Sequence, residues 1–359
     1  MFLAIRDIRF ARGRFALMGS VVGLITLLIV LLSGLTAGLA HQSTSAIDEL
    51  PASHVAFGTA GAAEEPEVSF EDSSVTGAQV DAYAQSPGVD SAAPLGIAQT
   101  RLEGASGGDS ATVFGVRGSD GLAPEPVSDG SLVISEELAT ETGMQVGDEV
   151  QAGGVPLRIS SVVESQYYSH TPVVWTSLDT WSQVAPPKAG DPVATVVAAD
   201  LADGADPAAV DGQVGTVSAT TSESLSGIAA YSSENGSLLM MQAFLYAISA
   251  LVIGAFMTVW TIQRSGDIAI LKALGGSTGY LLRDSLAQSV IVLVIGAGVG
   301  GVAGVGLGAL AQSVVPFQLT AVTTVLPVGL MIVLGLVGAV LAVRRITAVD
   351  PLTALGAVR

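Results

Sequence analysis

Hydrophobic and polar positions divide this chain into long blocks. Residues 15–40 carry no charged side chain, and neither do residues 235–263. A third uncharged run, 285–343, is about twice as long and is broken between 314 and 318, where Pro316 sits. An apolar run of about 20 residues suffices for a helix to cross a bilayer. The pattern therefore predicts four membrane helices, over 15–40, 237–263, 286–313 and 320–343. Between the first two lies a long water-compatible stretch, 41–236. The expected fold class is an α-helical membrane protein with four transmembrane helices, arranged one plus three. A large mixed α/β extracellular domain is expected between helices 1 and 2.

Within 41–236 the pattern has two textures. Residues 60–130 are rich in Gly, Ser, Pro and acids, with short apolar runs such as 111–116, and read as loops with short strands. Residues 131–181 are more regular. Strands are expected over 132–134, 157–163 and 172–175, a helical turn over 136–142, and a tight turn at Gly147-Asp148. Residues 200–222 read as a second acidic, solvated region. In the third membrane helix Gly296, Gly300, Gly304 and Gly308 recur every four residues. That spacing lines one helix face with glycine, so another backbone can approach closely. Two uses are open: packing within one chain, or a sliding or dimerising face.

Charge orients this pattern. Segment 41–236 carries 28 of the 32 acidic residues but only four of the 14 basic ones, Arg101, Arg117, Arg158 and Lys188. Its formal charge is −24, against +6 for the remainder. The other basic residues flank the membrane helices. Arg6, Arg9, Arg12 and Arg14 precede the first; Arg264, Lys272 and Arg283 follow the second; Arg344, Arg345 and Arg359 follow the fourth. Lys and Arg near helix ends mark the cytoplasmic side, which puts both termini inside and the acidic domain outside. A cleaved signal peptide competes for residues 1–40, but their apolar core is long and no A-x-A site precedes His41. Residues 1–14 read as a surface helix at the cytoplasmic face, carried by Phe2, Ile5 and Ile8, or as orienting arginines alone.

Composition removes several chemistries. Half of the residues are apolar and 13% charged, too apolar for an ordinary soluble domain. Cysteine is absent, which excludes disulfides and thiolate sites. The only lysines, Lys188 and Lys272, lie in no G-x-x-x-x-G-K-[ST] phosphate loop, so the chain carries no ATPase motif. His41, His54 and His170 lack zinc-site spacing, and no G-x-S-x-G elbow occurs. No catalytic residue, metal site or prosthetic group is expected. The acidic domain argues against nucleic acid.

The loop 264–285 is the most specific segment. On a helix, Ile270, Leu271 and Leu274 share a face with Asp267, Gly275-Gly276 can end the turn and Ser277 can cap the next. Such a helix suits a partner's groove, or serves simply as a hairpin between spans. The stretch DIAILKALGGS, 267–277, resembles the coupling-helix motif of FtsX/MacB-type ABC transporter permeases. RRITAVDPLTALG, 344–356, resembles their C-terminal motif, with Asp350-Pro351 as its hallmark. SLVISEELATETGMQVGDEVQAGG, 131–154, resembles a patch of their extracytoplasmic domain. The chain is identified as a member of that family. The resemblance implies a bacterial cell membrane and a homodimer served by separate ATPase subunits, two permeases with two ATPases. ATP would be bound by that partner. Asp267, Ile268, Ile270, Leu271, Lys272, Leu274 and Gly275 would couple to it.

Within the family the chain is most similar to the permeases of Gram-positive haem-efflux pumps. Haem is flat and largely apolar and partitions into membrane lipid, so the implied substrate enters sideways from the bilayer. Its iron accepts phenolate, imidazole, thioether or carboxylate ligands. Candidates where helices 1 and 2 meet the outer domain are His41, Tyr231, Glu234, Met240 and Met241. Tyr167, Tyr168 and His170 add donors from the domain itself, and a tyrosine-centred site at Tyr168 and Tyr231 is expected. Each has a plainer reading: tyrosines as core or anchor residues, methionines as span packing, His41 as a helix-end residue. Two other functions stay open. One is export of an antimicrobial peptide or a lipid. The other is an FtsX-like signalling permease that activates an extracellular cell-wall hydrolase.

Overall fold

The computed structural model describes residues 12–59, 65–105, 107–186, 192–263 and 278–347. The expected N-terminal surface helix, the coupling residues 267–275 and the Asp350-Pro351 motif lie outside them. The chain divides into two compact units, 39–235 and the remainder, which holds the long helices.

Helix α1 (Arg12–Asp48) starts beside the first apolar run and continues beyond Ala40. No helix breaker follows until Pro51, and Ser43 to Ile47 are buried, so packing extends the helix past the apolar run. His41 is therefore an interior helical residue rather than a helix-end one.

The outer unit follows. Strand β1 (His54–Phe57) leads to β2 (Val75–Thr76) and α2 (Gly77–Ala84). Helix α2 opens with a reciprocal capping box between Thr76 and Gln79. Then come β3 (Val89–Gly104), β4 (Gly107–Val116), β5 (Ser131–Ser135) and α3 (Glu136–Thr142). Strands β6 (Glu149–Ala152), β7 (Val155–Val163), β8 (Tyr167–Tyr168) and β9 (Thr171–Ser177) precede α4 (Leu178–Val184). The unit closes with β10 (Pro192–Ala194), β11 (Val196–Leu201), α5 (Pro207–Val214), β12 (Val217–Thr220) and α6 (Thr221–Ser224).

The main sheet runs β12-β1-β11-β3-β4-β9-β5-β7-β6, and β6 also pairs with β3. Strand β3 makes this possible by its length. Its first half pairs with β11 and its second half with β4. The Leu102↔Ala152 and Glu103↔Gln151 pairs close six strands into a small barrel. The other half is a four-stranded antiparallel sheet. Tyr83 of α2 and Val210 of α5 pack with its Ala56 and Val197. In the barrel, Trp181 of α4 fills the slot above Gly96 and Gly115, which face each other across β3 and β4. Any side chain at either glycine would meet the indole.

One sequence expectation is corrected here. Residues 60–130, read as loops and short strands, contain α2 and the two longest strands of the unit. Small residues such as Ala92 and Ala93 occupy sheet positions where neighbouring strands supply the burial, so the local apolar signal is weak. Residues 200–222, read as an acidic solvated region, are largely solvent-facing and contain α5 and β12. The expected elements in 131–181 all appear, and Gly147 takes φ 99° in the predicted turn.

The last three helices are α7 (Ala229–Gln263), α8 (Thr278–Ala311) and α9 (Ala321–Thr347). With α1 they are long and apolar enough to cross a membrane. The glycine face of α8 packs within the chain, against α1. A methyl group on Gly296 would lie 2.8 Å from the Gly19 carbonyl oxygen, and one on Gly304 would lie 2.9 Å from Val30. Gly300 meets the backbone of Gly23 directly.

Candidate functional site

The residues around Tyr167 fold as a hairpin tip. Tyr167 pairs with Pro172 and Tyr168 with Thr171, leaving Ser169-His170 as a two-residue loop. Both loop residues have positive φ, 49° and 64°. A tight hairpin needs that conformation, and glycine or asparagine usually supplies it. For other residues the left-handed region costs about 1–2 kcal/mol each. Contacts with α1 hold the tip in place. Ser169 N–H donates to Ser43 O at 2.9 Å and His170 N–H to Gln42 O at 3.0 Å. Tyr167 N–H donates to Ser45 Oγ at 2.8 Å, and Gln166 Nε2 to Glu49 Oε2 at 2.8 Å. Ser45, Glu49 and Gln166 were not singled out from the sequence; the polar Ser43-Thr44-Ser45 run just beyond the apolar block was the available signal.

The hairpin sorts its aromatic residues by strand alternation. Tyr168 turns inward and is only 4% exposed. Its ring meets Phe70 and Phe114 edge to face, at centroid distances of 5.8 and 5.9 Å. Burial pushes its phenol well above the ordinary tyrosine range, so the phenolate that would bind iron is strongly disfavoured. Tyr168, expected at the centre of a ligand site, is a core residue. Tyr167 is half-buried and points the other way, its ring 5.9 Å from that of His41 in a T-shaped contact. Its phenol is also raised, by burial first and then by the Glu137 carboxylate.

His170 reaches the beginning of α7. Its Nε2 lies 2.9 Å from Glu234 Oε2, with both side chains partly open to solvent. A carboxylate in that position fixes the Nε2–H tautomer and leaves Nδ1 as the acceptor. Tyr231 precedes Glu234 by three residues on the same helix, so the two share a face. Its hydroxyl accepts from Asn235 Nδ2 at 3.2 Å, and its ring packs partly buried against the core that holds Tyr168. Met240 and Met241 lie further along α7, 62% and 48% exposed. The structure thus makes two pairs at one hairpin tip, Tyr167 with His41 and His170 with Glu234, and Tyr231 lies one turn away from Glu234. It does not bring Tyr168 to the surface. Among the described residues, no three His, Asp or Glu side chains are grouped to hold a metal ion.

Comparison with known proteins covers both units. Residues 15–217 match the MacB-like periplasmic core domain, and residues 239–351 match the FtsX-like permease C-terminal family. The chain is 25% identical to the putative hemin transport system permease protein HrtB of Staphylococcus epidermidis, over 99% of both chains. It is 27% identical to an uncharacterized ABC transporter permease of Mycobacterium bovis, again over 99% of both. Among solved structures, the periplasmic region of MacB from Actinobacillus actinomycetemcomitans is 9% identical, with a TM-score of 0.35, covering 48% of this chain and 90% of that one. With four membrane helices, a mixed α/β domain between the first two in sequence, and both family regions in this order, the chain belongs to the FtsX/MacB-like family of ABC transporter permeases.

Proposed function

We propose that this permease exports haem from the membrane, powered by a separate ABC ATPase, and that haem is sensed or handed over at the hairpin tip. The observation that carries the reading is that one hairpin tip pairs Tyr167 with His41 of α1 and His170 with Glu234 of α7. The full-length similarity to a protein named as a hemin transport permease supports the same substrate. His170 is the best iron ligand of the group. Glu234 holds its Nε2–H, and Nδ1 is the lone-pair nitrogen that ferric iron accepts. The rings of Tyr167 and His41 offer stacking surface to a flat macrocycle. Tyr167 serves as a neutral donor, since burial and Glu137 oppose its ionisation. Tyr231 and Glu234 place a second polar edge on α7, and Met240 and Met241 give its outer half a soft apolar surface.

The family supports the rest of the reading. Two permeases pair with two ATPase subunits, and Asp267, Ile268, Ile270, Leu271, Lys272, Leu274 and Gly275 dock into the ATPase. The basic helix flanks keep both termini in the cytoplasm and the acidic unit outside.

Haem titration of the detergent-purified permease–ATPase complex tests the reading. A saturable Soret shift is expected in the wild-type complex, weakened about tenfold by His170→Ala, which matches the usual scale for a metal ligand or its second shell. Tyr168→Phe is expected to bind as the wild type does. A shift lost in Tyr168→Phe but kept in His170→Ala would move the ligand into the core and overturn this site. Absence of saturable binding would remove haem and favour peptide or lipid export, or hydrolase signalling.

A further inference from the structure

The turn that joins α8 to α9 carries a feature of its own. Phe317 lies in this turn, yet it is only 8% exposed. Its ring occupies a notch between Gly34 of α1 and Gly308 of α8, where a methyl group on either glycine would collide with it. The carbonyl of Pro316 presses against Gly38 one helical turn further along α1. The main chain is tied down as well. Gln318 N–H donates to Gly34 O at 3.0 Å, and Gln312 Nε2 donates to Phe317 O at 3.2 Å. Thr323 Oγ1 donates to Gln318 O at 2.9 Å, joining the turn to the first residues of α9.

The other contacts of these three helices are interlocked too. Gly300 meets the backbone of Gly23, Leu293 fills the space beside Gly335, and Val328 fills that beside Gly301. Each is a side chain or backbone seated where a larger residue would not fit, and sliding requires it to climb out of a close-packed notch. Helix α7 is held differently. Its span is the least buried of the four. At Gly338 of α9, a methyl group would lie 3.4 Å from Ala250 O and 3.5 Å from Gly254 N, which is ordinary contact with no knob across it. Glycine on both sides, Gly254 and Gly338, leaves that contact smooth, while the neighbouring Ile253 packs into the apolar cluster of Leu293, Met331 and Ala339.

We propose that Phe317 latches the α8–α9 turn onto α1, so that α1, α8 and α9 move as one body and α7 shifts against them along the Gly254–Gly338 contact. In the sequence the 264–277 segment links α7 to α8. Phe317 acts as a positioning residue in this scheme, and the scheme holds for any exported substrate.

The absence of cysteine makes cross-linking of introduced pairs direct. The full-length permease with its ATPase, in membrane vesicles, would carry Leu35→Cys with Gln318→Cys, or Gly254→Cys with Gly338→Cys. The first pair flanks the main-chain bond from Gln318 N–H to Gly34 O and leaves the glycines of the latch unsubstituted. Rates of cross-linking by a short bis-maleimide are compared without nucleotide and with ATP plus vanadate. The 35–318 pair is expected to cross-link at the same rate in both states. The 254–338 pair is expected to change by about fivefold or more, as sliding helices do when one element ratchets past another. Adding Phe317→Ala to the 35–318 pair is expected to make its rate depend on nucleotide, with unchanged expression and detergent melting as the check on folding. A nucleotide-dependent 35–318 rate with Phe317 intact would overturn the latch. A constant 254–338 rate would overturn the shear plane.

Discussion

Tyr167 and Tyr168 are neighbours in sequence and opposites in environment. Chemistry alone makes both attractive iron ligands, because the Tyr-Tyr-x-His string concentrates donors. The backbone decides between them, since successive strand residues face opposite ways. One side chain joins Phe70 and Phe114 in the core while the other faces His41. Burial raises both phenols, and the sign of the consequence is fixed. The folded state holds these protons more tightly than the unfolded state. Their contribution to stability is complete below the unfolded value near pH 10 and is lost as the pH rises from there through the folded values. The melting temperature of the full-length protein is expected to fall above about pH 10, and to fall less steeply in Tyr168→Phe. Identical slopes in the two proteins would show that ionisation of Tyr168 does not drive alkaline unfolding.

At the scale of elements, the glycines of α8 are not equivalent. Gly300 meets the Gly23 backbone, whereas Gly306 has open space where its side chain would be. Gly300→Ala is expected to cost about 1–3 kcal/mol through overpacking. Gly306→Ala is expected to be neutral or to gain up to about 1 kcal/mol from helix propensity. Thermal melts of the detergent-solubilised permease would separate them, and equal melting temperatures would mean that α1 and α8 are not in backbone contact. The four-residue spacing was legible in the sequence. Its partner was not, because Gly19-x-x-x-Gly23 and Gly34-x-x-x-Gly38 in α1 state an equal capacity for close packing without saying with which helix. The long strand β3 was illegible for a related reason. Its Ala- and Gly-rich stretch gains burial from β11, β6 and the indole of Trp181, which arrive from distant parts of the chain.

At the scale of the whole molecule, charge separation predicts which side each end of the helices faces. The 41–236 segment holds −24 and the rest +6, and the basic residues sit at one end of every membrane helix. With Asp203→Cys, a membrane-impermeant maleimide is expected to label intact cells. With Gly279→Cys, labelling is expected only after the membrane is opened. Both positions are solvent-exposed in the fold, so access depends on sidedness rather than burial. The reverse pattern would invert the topology and place the acidic unit in the cytoplasm.

The sequence by itself determined the number of membrane helices, their one-plus-three arrangement and the family. Those properties depend on runs of 20 or more residues and on contiguous motifs, which need no distant partner to be read. Tertiary structure decided the rest. It carried α1 past His41 because side chains of the outer unit cover residues 43–47, and it closed a barrel through the second half of β3. It withdrew Tyr168 into the core while setting His170 against Glu234, 64 residues away. It also seated Phe317 between two glycines almost 275 residues apart in the chain, Gly34 and Gly308. Burial and side-chain pairing are properties of contacts between remote segments, and only the folded chain brings those segments together.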